Sequence, residues 1–172
     1  MEGVERYEVR LLPYNNDWIN EFEALKPVLA TILGDNVLDI QHVGSTSIKN
    51  INAKPILDVA IKVISFSGLN IEGMKHHGYD YCGESGVSGR QLFVLRKDGH
   101  VSLHHIHCYE ADNIGFENQV CFRNHLNTHP NLAQQYNDLK HELAMKYPND
   151  RYKYTDGKES FIQFVLKLAN GQ

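Results

Sequence analysis

The stretch HVGSTSIKNINAKPILDVAI, residues 42–61, joins two predicted strands and contains the first candidate site. Gly44 and Ser45 follow the first strand, and a glycine there lets the backbone come close to a bound anion. Asp58 stands thirteen positions after Ser45 on an apolar strand, where its carboxylate would hold a divalent cation against the same ligand. Lys54 lies between them and would add a positive charge. A tight turn capped by Ser45, with Asp58 bonded to backbone, is the alternative that this pattern leaves open.

Length and composition predict a single globular domain over residues 1–172, with 42% hydrophobic and 22% charged residues. The net charge of −4 argues against a general nucleic-acid-binding surface, which needs clustered Lys and Arg. Cys82, Cys108 and Cys121 have no CxxC spacing, so we expect reduced thiols. No apolar run approaches the roughly 20 residues needed to cross a bilayer. We therefore expect a cytoplasmic protein with no membrane partner.

The first half of the chain predicts strands around two helices. VERYEVRLL, residues 4–12, alternates and predicts a short strand or an extended arm, and a helix follows from Asn16 or Asp17 as cap to Gly34. Pro27 would kink or split that helix. The runs NVLDIQHV and PILDVAIKVI predict two further strands, and SGLNIEGMKHHGY predicts a short helix.

The second half predicts a hairpin and then helices. RQLFVLRK and HVSLHHIHCYE alternate on either side of an Asp-Gly pair, which is typical of a β-hairpin. Three helices follow: one in residues 118–129, a second opened by Pro130, and a last one over residues 155–171 capped by Thr155 or Asp156. The outline is an α+β fold, with a mixed or antiparallel sheet between helices and a helical C-terminal third.

A cluster of histidines marks the strand HHIHCYE, residues 104–110. Alternation puts His105, His107 and Tyr109 on one face of the strand. Two imidazoles on one face can bind one metal ion, or place a general base beside an anion-binding imidazole. Asp58 is the first candidate for a third ligand, with His42 and Glu110 behind it. The alternative is that the other face packs inward and these imidazoles are solvated.

Several blocks of the sequence resemble, in order, those of the GrpB family. They are LLPYNNDW, QHVGSTSIKNINAKPILDVAIKV, HHGYDY, LHHIHCYE, FRNHL and HPNLAQQYNDLKHELAMKYPNDRYKYTDGKESFI. The resemblance implies the nucleotidyltransferase-like fold, in which a mixed sheet is flanked by helices. Relatives of this domain also occur fused to dephospho-coenzyme A kinases, which implies a link to nucleotide or cofactor metabolism.

The resemblance also implies an active-site pattern from which this chain departs. In the wider superfamily a Gly-Ser turn precedes an acid, a hydrophobic residue and a second acid. Gly44 and Ser45 match the turn and Asp58 the first acid, but Ala60 stands where the second acid is expected. A third acid would fall near His105 and His107. Because imidazoles prefer transition metals to magnesium, we expect one divalent transition metal ion on Asp58, His105 and His107 instead of two magnesium ions.

The leading hypothesis is a nucleotidyltransferase-like protein that binds a nucleotide or another phosphorylated small molecule, with metal-dependent transfer or hydrolysis. Asp58, His105 and His107 would be its catalytic residues. The residues predicted to contact the ligand are Gly44, Ser45, Thr46, Lys54, Arg123 and Lys158. Arg90 and Arg96 would hold a triphosphate or lie in solvent. A non-catalytic module that binds a nucleotide or coenzyme A, and a purely structural domain, remain as alternatives.

Overall fold

A computed structural model of the chain describes residues 1–171. Its strands are β1 (Val4–Glu5), β2 (Val37–Val43), β3 (Leu57–Val63), β4 (Tyr79–Tyr81), β5 (Gln91–Lys97) and β6 (Val101–Glu110). They form a six-stranded sheet in the order β2-β3-β6-β5-β4, with β1 also paired to β6. The neighbours β3 and β6 are parallel and the other pairs are antiparallel. The sheet is therefore mixed, which confirms the predicted α+β fold.

Helices flank this sheet on both sides. They are α1 (Asp17–Leu33), α2 (Ile71–His76), α3 (Ile114–Thr128), α4 (Pro130–Lys146), α5 (Arg151–Asp156) and α6 (Glu159–Ala169). On one face of the sheet, Phe22 and Leu29 of α1 and Met74 of α2 share the largest apolar cluster. On the other face, Phe116 of α3 packs with apolar residues of β2, β3 and β6. None of the helices in residues 1–171 is long and apolar enough to cross a membrane.

Several sequence predictions are confirmed at the level of single elements. The β5–β6 hairpin turns at Asp98 and Gly99, whose φ angles are +53° and +76°. A tight Asp-Gly hairpin turn requires positive φ angles at both of these residues. Pro130 is at the start of α4, where its missing N–H costs nothing. Pro27 lies inside α1 without dividing it.

Three other predictions are confirmed only in part. VERYEVRLL forms a short strand, at Val4–Glu5 alone. The last predicted helix is found as α6, but its predicted cap is wrong, because Asp150 caps a separate short helix by accepting from Lys153 N. Thr155 and Asp156 therefore belong to α5, and α6 begins after Lys158 with no side-chain cap. Asn16 is at the N-cap position of α1, but its side chain forms no cap hydrogen bond, and Asn15 Oδ1 accepts from Asp17 N at 2.9 Å.

The segment between β2 and β3 connects the sheet to the C-terminal helices. Ile48 and Ile51 are buried in an apolar cluster with residues of α3, α4 and α6. Asn127 of α3 accepts from Lys49 N at 2.9 Å, and Asn137 of α4 accepts from Asn52 N at 2.8 Å. The backbone of this segment is thus held by helix side chains, and at Ala53 by an antiparallel bridge to Leu12.

Gly44 opens this segment in a conformation that favours glycine. Its φ is +69° and its ψ is −173°, a region that residues with a Cβ rarely adopt. A Cβ at this position would lie 2.5 Å from Asp58 Oδ2 and 2.8 Å from Asp58 Cβ. Glycine therefore allows the Asp58 carboxylate to pack directly against the turn.

Replacing Gly44 tests this close approach. Gly44→Ala should lower the free energy of unfolding by about 1–3 kcal/mol more than Gly34→Ala, because overpacking against Asp58 adds to the backbone strain. Gly34 is the matched control, since its φ is +61° and a Cβ there would meet no atom within 4 Å. Chemical denaturation of both variants gives the comparison. An equal loss in the two variants would contradict the contact with Asp58.

Lys140 of α4 is a buried cation without a carboxylate partner in residues 1–171. Its side chain is 0% exposed, its Nζ donates to the Asn52 carbonyl, and Nζ lies 5.0 Å from the centroid of the Tyr136 ring. Burial, together with the positive charge of Lys158, lowers the pKa of Lys140 from 10.5 to about 7. Above pH 7 the folded chain therefore binds fewer protons than the unfolded chain, which keeps the ordinary lysine pKa.

The Lys140 pKa predicts a stability that rises with pH. Between pH 7 and 10 this group should add up to about 1.4 kcal/mol per pH unit to the free energy of unfolding. Lys140→Met should remove that contribution to the slope, whatever its effect on the absolute stability. Lys146→Met, in the exposed last turn of the same helix, should leave the slope unchanged. Urea denaturation at several pH values measures both, and parallel curves for wild type and Lys140→Met would contradict the assignment.

Candidate functional site

Asp58, His105 and His107 converge on one face of the sheet. The parallel pairing of β3 with β6 sets Asp58 opposite His105 and Ala60 opposite His107, so the three side chains point the same way. His107 Nε2 lies 3.1 Å and His105 Nδ1 3.4 Å from Asp58 Oδ1. One ligand atom from each residue lies within 4.8 Å of the other two. The predicted three-residue group is therefore assembled by strand register alone.

Burial and hydrogen bonding fix the charges of this group. Burial alone would raise the pKa of Asp58, but hydrogen bonds from His105 and His107 hold that pKa well below its usual range. Burial lowers the pKa of His105 from 6.5 to about 4, although the Asp58 carboxylate opposes the change. Asp58 is thus an anion and His105 a neutral imidazole at neutral pH.

The residues fit a transition metal better than magnesium. One carboxylate and two imidazoles form a mixed oxygen and nitrogen ligand set, which suits zinc and other first-row transition metals. Ala60 is fully buried in an apolar cluster with Val43, Tyr109 and Phe116, so no second carboxylate stands beside Asp58 on β3. The described site offers a place for one such ion between Asp58 and the two histidines.

Arg90 contacts the far side of His107. Its Nη1 donates to His107 Nδ1 at 3.3 Å, and its Nη2 donates to the carbonyls of Glu84 at 3.1 Å and Ser85 at 3.0 Å. Because a guanidinium only donates, His107 Nδ1 must be the acceptor, and the ring proton is then on Nε2, facing Asp58. Arg90 therefore joins the Gly-rich loop before β5 to the histidine pair.

Three half-buried cations lie near this group. Lys54 Nζ and Lys158 Nζ lie 5.1 and 4.7 Å from the centroid of the Tyr154 ring. Burial, with the positive charges of Lys158 and Arg151, lowers the pKa of Lys54 from 10.5 to about 7, against the attraction of Asp58. Within residues 1–171, Lys54, Arg151 and Lys158 form no ion pair with a carboxylate. The positive charge around Asp58 thus exceeds what this one carboxylate neutralises.

The Gly-Ser turn adjoins the same carboxylate, but its two polar side chains differ. Asp58 packs on Gly44, and Ser45 follows half-buried in a short 3₁₀ turn. Thr46, by contrast, is 1% exposed, and its hydroxyl lies 2.9 Å from His42 Nε2. The Thr46 side chain therefore supports the turn from within and does not face a ligand.

Other predicted residues have structural contacts away from Asp58. His42 stacks on Phe22 on the opposite face of the sheet, with ring centroids 5.2 Å apart, and Glu110 accepts from Phe66 N at 2.8 Å. Neither joins the metal-ligand group found in residues 1–171. Arg123 Nη1 donates to Gln41 Oε1 at 3.0 Å and to the His42 carbonyl at 2.7 Å. Its guanidinium fixes α3 to β2, so it is engaged before any ligand arrives.

Two features of the site were not predicted from the sequence. Burial lowers the pKa of Arg151, and the nearby Asp58 carboxylate opposes this change. In the sequence, Arg151 lies seven residues before Lys158, a spacing that would put both side chains on one face of a continuous helix. That inference fails here, because α5 ends before Lys158. The sequence predicts that Arg90 holds a triphosphate or lies in solvent, whereas its contact with His107 depends on a loop conformation that no periodicity indicates. Arg96, its companion in that prediction, forms an ion pair with Asp80.

Comparison with known proteins places the chain in a family. A family model described as GrpB protein matches residues 8–168. The chain is 39% identical to the UPF0157 protein YqkA of Bacillus subtilis over 94% of its own length, but it spans only 47%, about half, of that relative. It is 36% identical to glutamate-rich protein GrpB of Alkalihalophilus pseudofirmus, covering 96% of this chain and 98% of that one.

A solved structure agrees with this placement. The crystal structure of conserved protein GrpB from Enterococcus faecalis has a TM-score of 0.84 and 34% sequence identity, covering 93% of this chain and 96% of that chain. Sequence and fold thus point to the same relatives over almost the whole described length. The chain belongs to the GrpB family.

Proposed function

We propose that this protein binds a nucleotide or another phosphorylated small molecule together with one divalent transition metal ion, and that it catalyses phosphoryl or nucleotidyl transfer or hydrolysis. The observation that carries the proposal is the convergence of Asp58, His105 and His107 beside cations that have no carboxylate partner in residues 1–171. The nucleotidyltransferase-like pattern of turn and acid at Gly44, Ser45 and Asp58 supports the same class of ligand.

The charge around the site supports an anionic ligand. Lys54, Arg151 and Lys158 are half-buried, and placing unpaired cations out of water costs free energy. A phosphate group would supply the missing negative charge and accept hydrogen bonds from all three residues. In this proposal Lys54 and Lys158 would contact the ligand together with Arg151, and the backbone of Gly44 and Ser45 would border the same space.

The roles of the chain's own residues follow from their contacts. Asp58, His105 and His107 would hold the metal, which supplies polarisation of a phosphoryl oxygen when bound. The cations would orient the phosphates. His105 is neutral above about pH 4, so its lone pair would be available for the metal at neutral pH. The acceptor of the transferred group is not specified by these contacts.

One observation favours a second function, that of a non-catalytic module binding a nucleotide or coenzyme A. Ala60 takes the position of the second acid of the superfamily pattern, and it is 0% exposed in an apolar cluster. A second metal clamped by two acids of β3 therefore has no place here. A domain that has lost this clamp would retain the cations and the turn, and with them its affinity for the ligand.

Replacement of Asp58 tests the metal and separates the two functions. Asp58→Asn should weaken binding of Mn²⁺ or Zn²⁺ by on the order of 100-fold, since it removes the only carboxylate of the three ligands. Asp39→Asn, on the neighbouring strand β2, is the matched control. Calorimetry gives the metal affinity, and incubation with nucleoside triphosphates and with coenzyme A gives turnover.

The outcomes of that experiment are distinct. Metal-dependent turnover that Asp58→Asn abolishes would support the transferase or hydrolase, whereas ligand binding without turnover would support the regulatory module. Metal binding that is equal in wild type and Asp58→Asn would contradict the site. A flat titration with every nucleotide and with coenzyme A would contradict both functions.

Removal of single cations tests the anionic ligand. Lys54→Met and Lys158→Met should each weaken binding of a nucleoside triphosphate by about tenfold or more, because a hydrogen bond to a charged group contributes about 1.5–3 kcal/mol. Lys153→Met is the control, since Lys153 is exposed and paired with Asp150. Calorimetry at two salt concentrations measures the effect. Losses that match that of Lys153→Met would remove these lysines from the ligand site.

A further inference from the structure

Arg90, His107 and Asp58 form a chain of hydrogen bonds that permits one protonation pattern. Arg90 Nη1 lies 3.3 Å from His107 Nδ1, and His107 Nε2 lies 3.1 Å from Asp58 Oδ1. The guanidinium can only donate and the ionised carboxylate can only accept. His107 therefore accepts at Nδ1 and donates from Nε2, and its proton is on the nitrogen that faces Asp58.

This pattern conflicts with a metal ion shared by His107 and Asp58. A metal binds the lone pair of an imidazole nitrogen, so His107 Nε2 would have to give up its proton. In a neutral ring the proton then moves to Nδ1, where it would point at Arg90 Nη1 and set two donors against each other. The contact with Arg90 thus stabilises the form of His107 that cannot bind the metal.

We propose that Arg90 gates the metal site, and that the metal ion and an anionic ligand bind cooperatively because the anion draws the Arg90 guanidinium away from His107. This inference rests on the metal-binding part of the proposed function, and it adds that binding of the anion favours binding of the metal. A phosphate or sulfate oxygen is a stronger acceptor for a guanidinium than a neutral imidazole nitrogen. The anion therefore releases His107 Nδ1 to carry the proton.

The hydrogen bonds of Arg90 would let its Nη1 leave His107 without a movement of the loop. Its Nη2 is held by the carbonyls of Glu84 and Ser85, whereas Nη1 contacts only His107 among the residues described. The bond to His107 is 3.3 Å long, as is the bond from Nε to the Glu84 carbonyl, and both are longer than the two bonds of Nη2. Nη1 is thus the part of the guanidinium that an incoming anion can take over while the loop stays in place.

The test measures cobalt binding with and without an anion. Co²⁺ is titrated by its visible absorption, in sodium sulfate or in sodium chloride of equal ionic strength, and no turnover is needed. In the wild type, sulfate should tighten Co²⁺ binding by about tenfold, within the usual range of coupling between sites. Arg90→Gln should bind Co²⁺ tightly in chloride already, and sulfate should add little.

The control removes the same charge from β5, the strand that follows Arg90. Arg96→Gln, whose native partner is Asp80, should keep the weak binding in chloride and the response to sulfate. Equal Co²⁺ affinities in wild type and Arg90→Gln, with no response to sulfate, would overturn the gating and leave the metal site intact. No Co²⁺ binding in any variant would overturn the metal site as well.

A second measurement does not depend on a variant that folds. Long-range ¹H–¹⁵N spectra of the wild type report which ring nitrogen of each histidine carries the proton. Without metal, His107 should carry it on Nε2, and with Co²⁺ replaced by diamagnetic Zn²⁺ in sulfate it should carry it on Nδ1. A proton on Nδ1 in the metal-free protein would overturn the proposal.

Discussion

The Asp58 carboxylate is the contact on which the rest of this site depends. It packs against Gly44 and has one oxygen within reach of two imidazoles from the next strand. Each neighbour sets a condition. The turn must lack a Cβ, β3 and β6 must run parallel in this register, and the imidazoles of β6 must present donors to a buried anion. A single side chain therefore links the turn, the sheet order and the hydrogen bonding of the histidine pair.

The segment from Gly44 to Lys54 extends this constraint to the helical part of the chain. Ile48 and Ile51 anchor it in the cluster of α3, α4 and α6, while its two ends meet Asp58 and Tyr154. Because both the turn and Lys54 are fixed by this one segment, the turn beside Asp58 and the Lys54 side chain cannot shift independently. The same packing brings Lys158 to the Tyr154 ring, which Lys54 also contacts.

The sequence predicted those parts of the molecule that depend on local pattern. Alternation in β6 correctly grouped His105 with His107, and the Asp-Gly pair correctly indicated the hairpin before them. The resemblance to the GrpB family supplied the sheet type and the pairing of the turn with Asp58. What could not be predicted depends on contacts between distant residues. Arg123 is engaged by β2, Thr46 is turned toward His42, and α5 is a separate helix because of a cap at Asp150. None of these contacts has a periodicity of its own.

Comparison of two lysines, Lys140 and Lys54, supports the proposed anionic ligand. Burial lowers the pKa of Lys140 and of Lys54 to the same value, about 7. Lys140 donates to a backbone carbonyl and so connects α4 to the segment after Gly44. This hydrogen bond offsets part of the cost of burying Lys140. Lys54 has no acceptor in the described chain beyond the face of Tyr154, and it shares that ring with a second cation. Burial of Lys54 costs free energy in the free protein and is not offset by a hydrogen bond within the described chain. A preformed anion site requires this arrangement, because the acceptor arrives with the ligand.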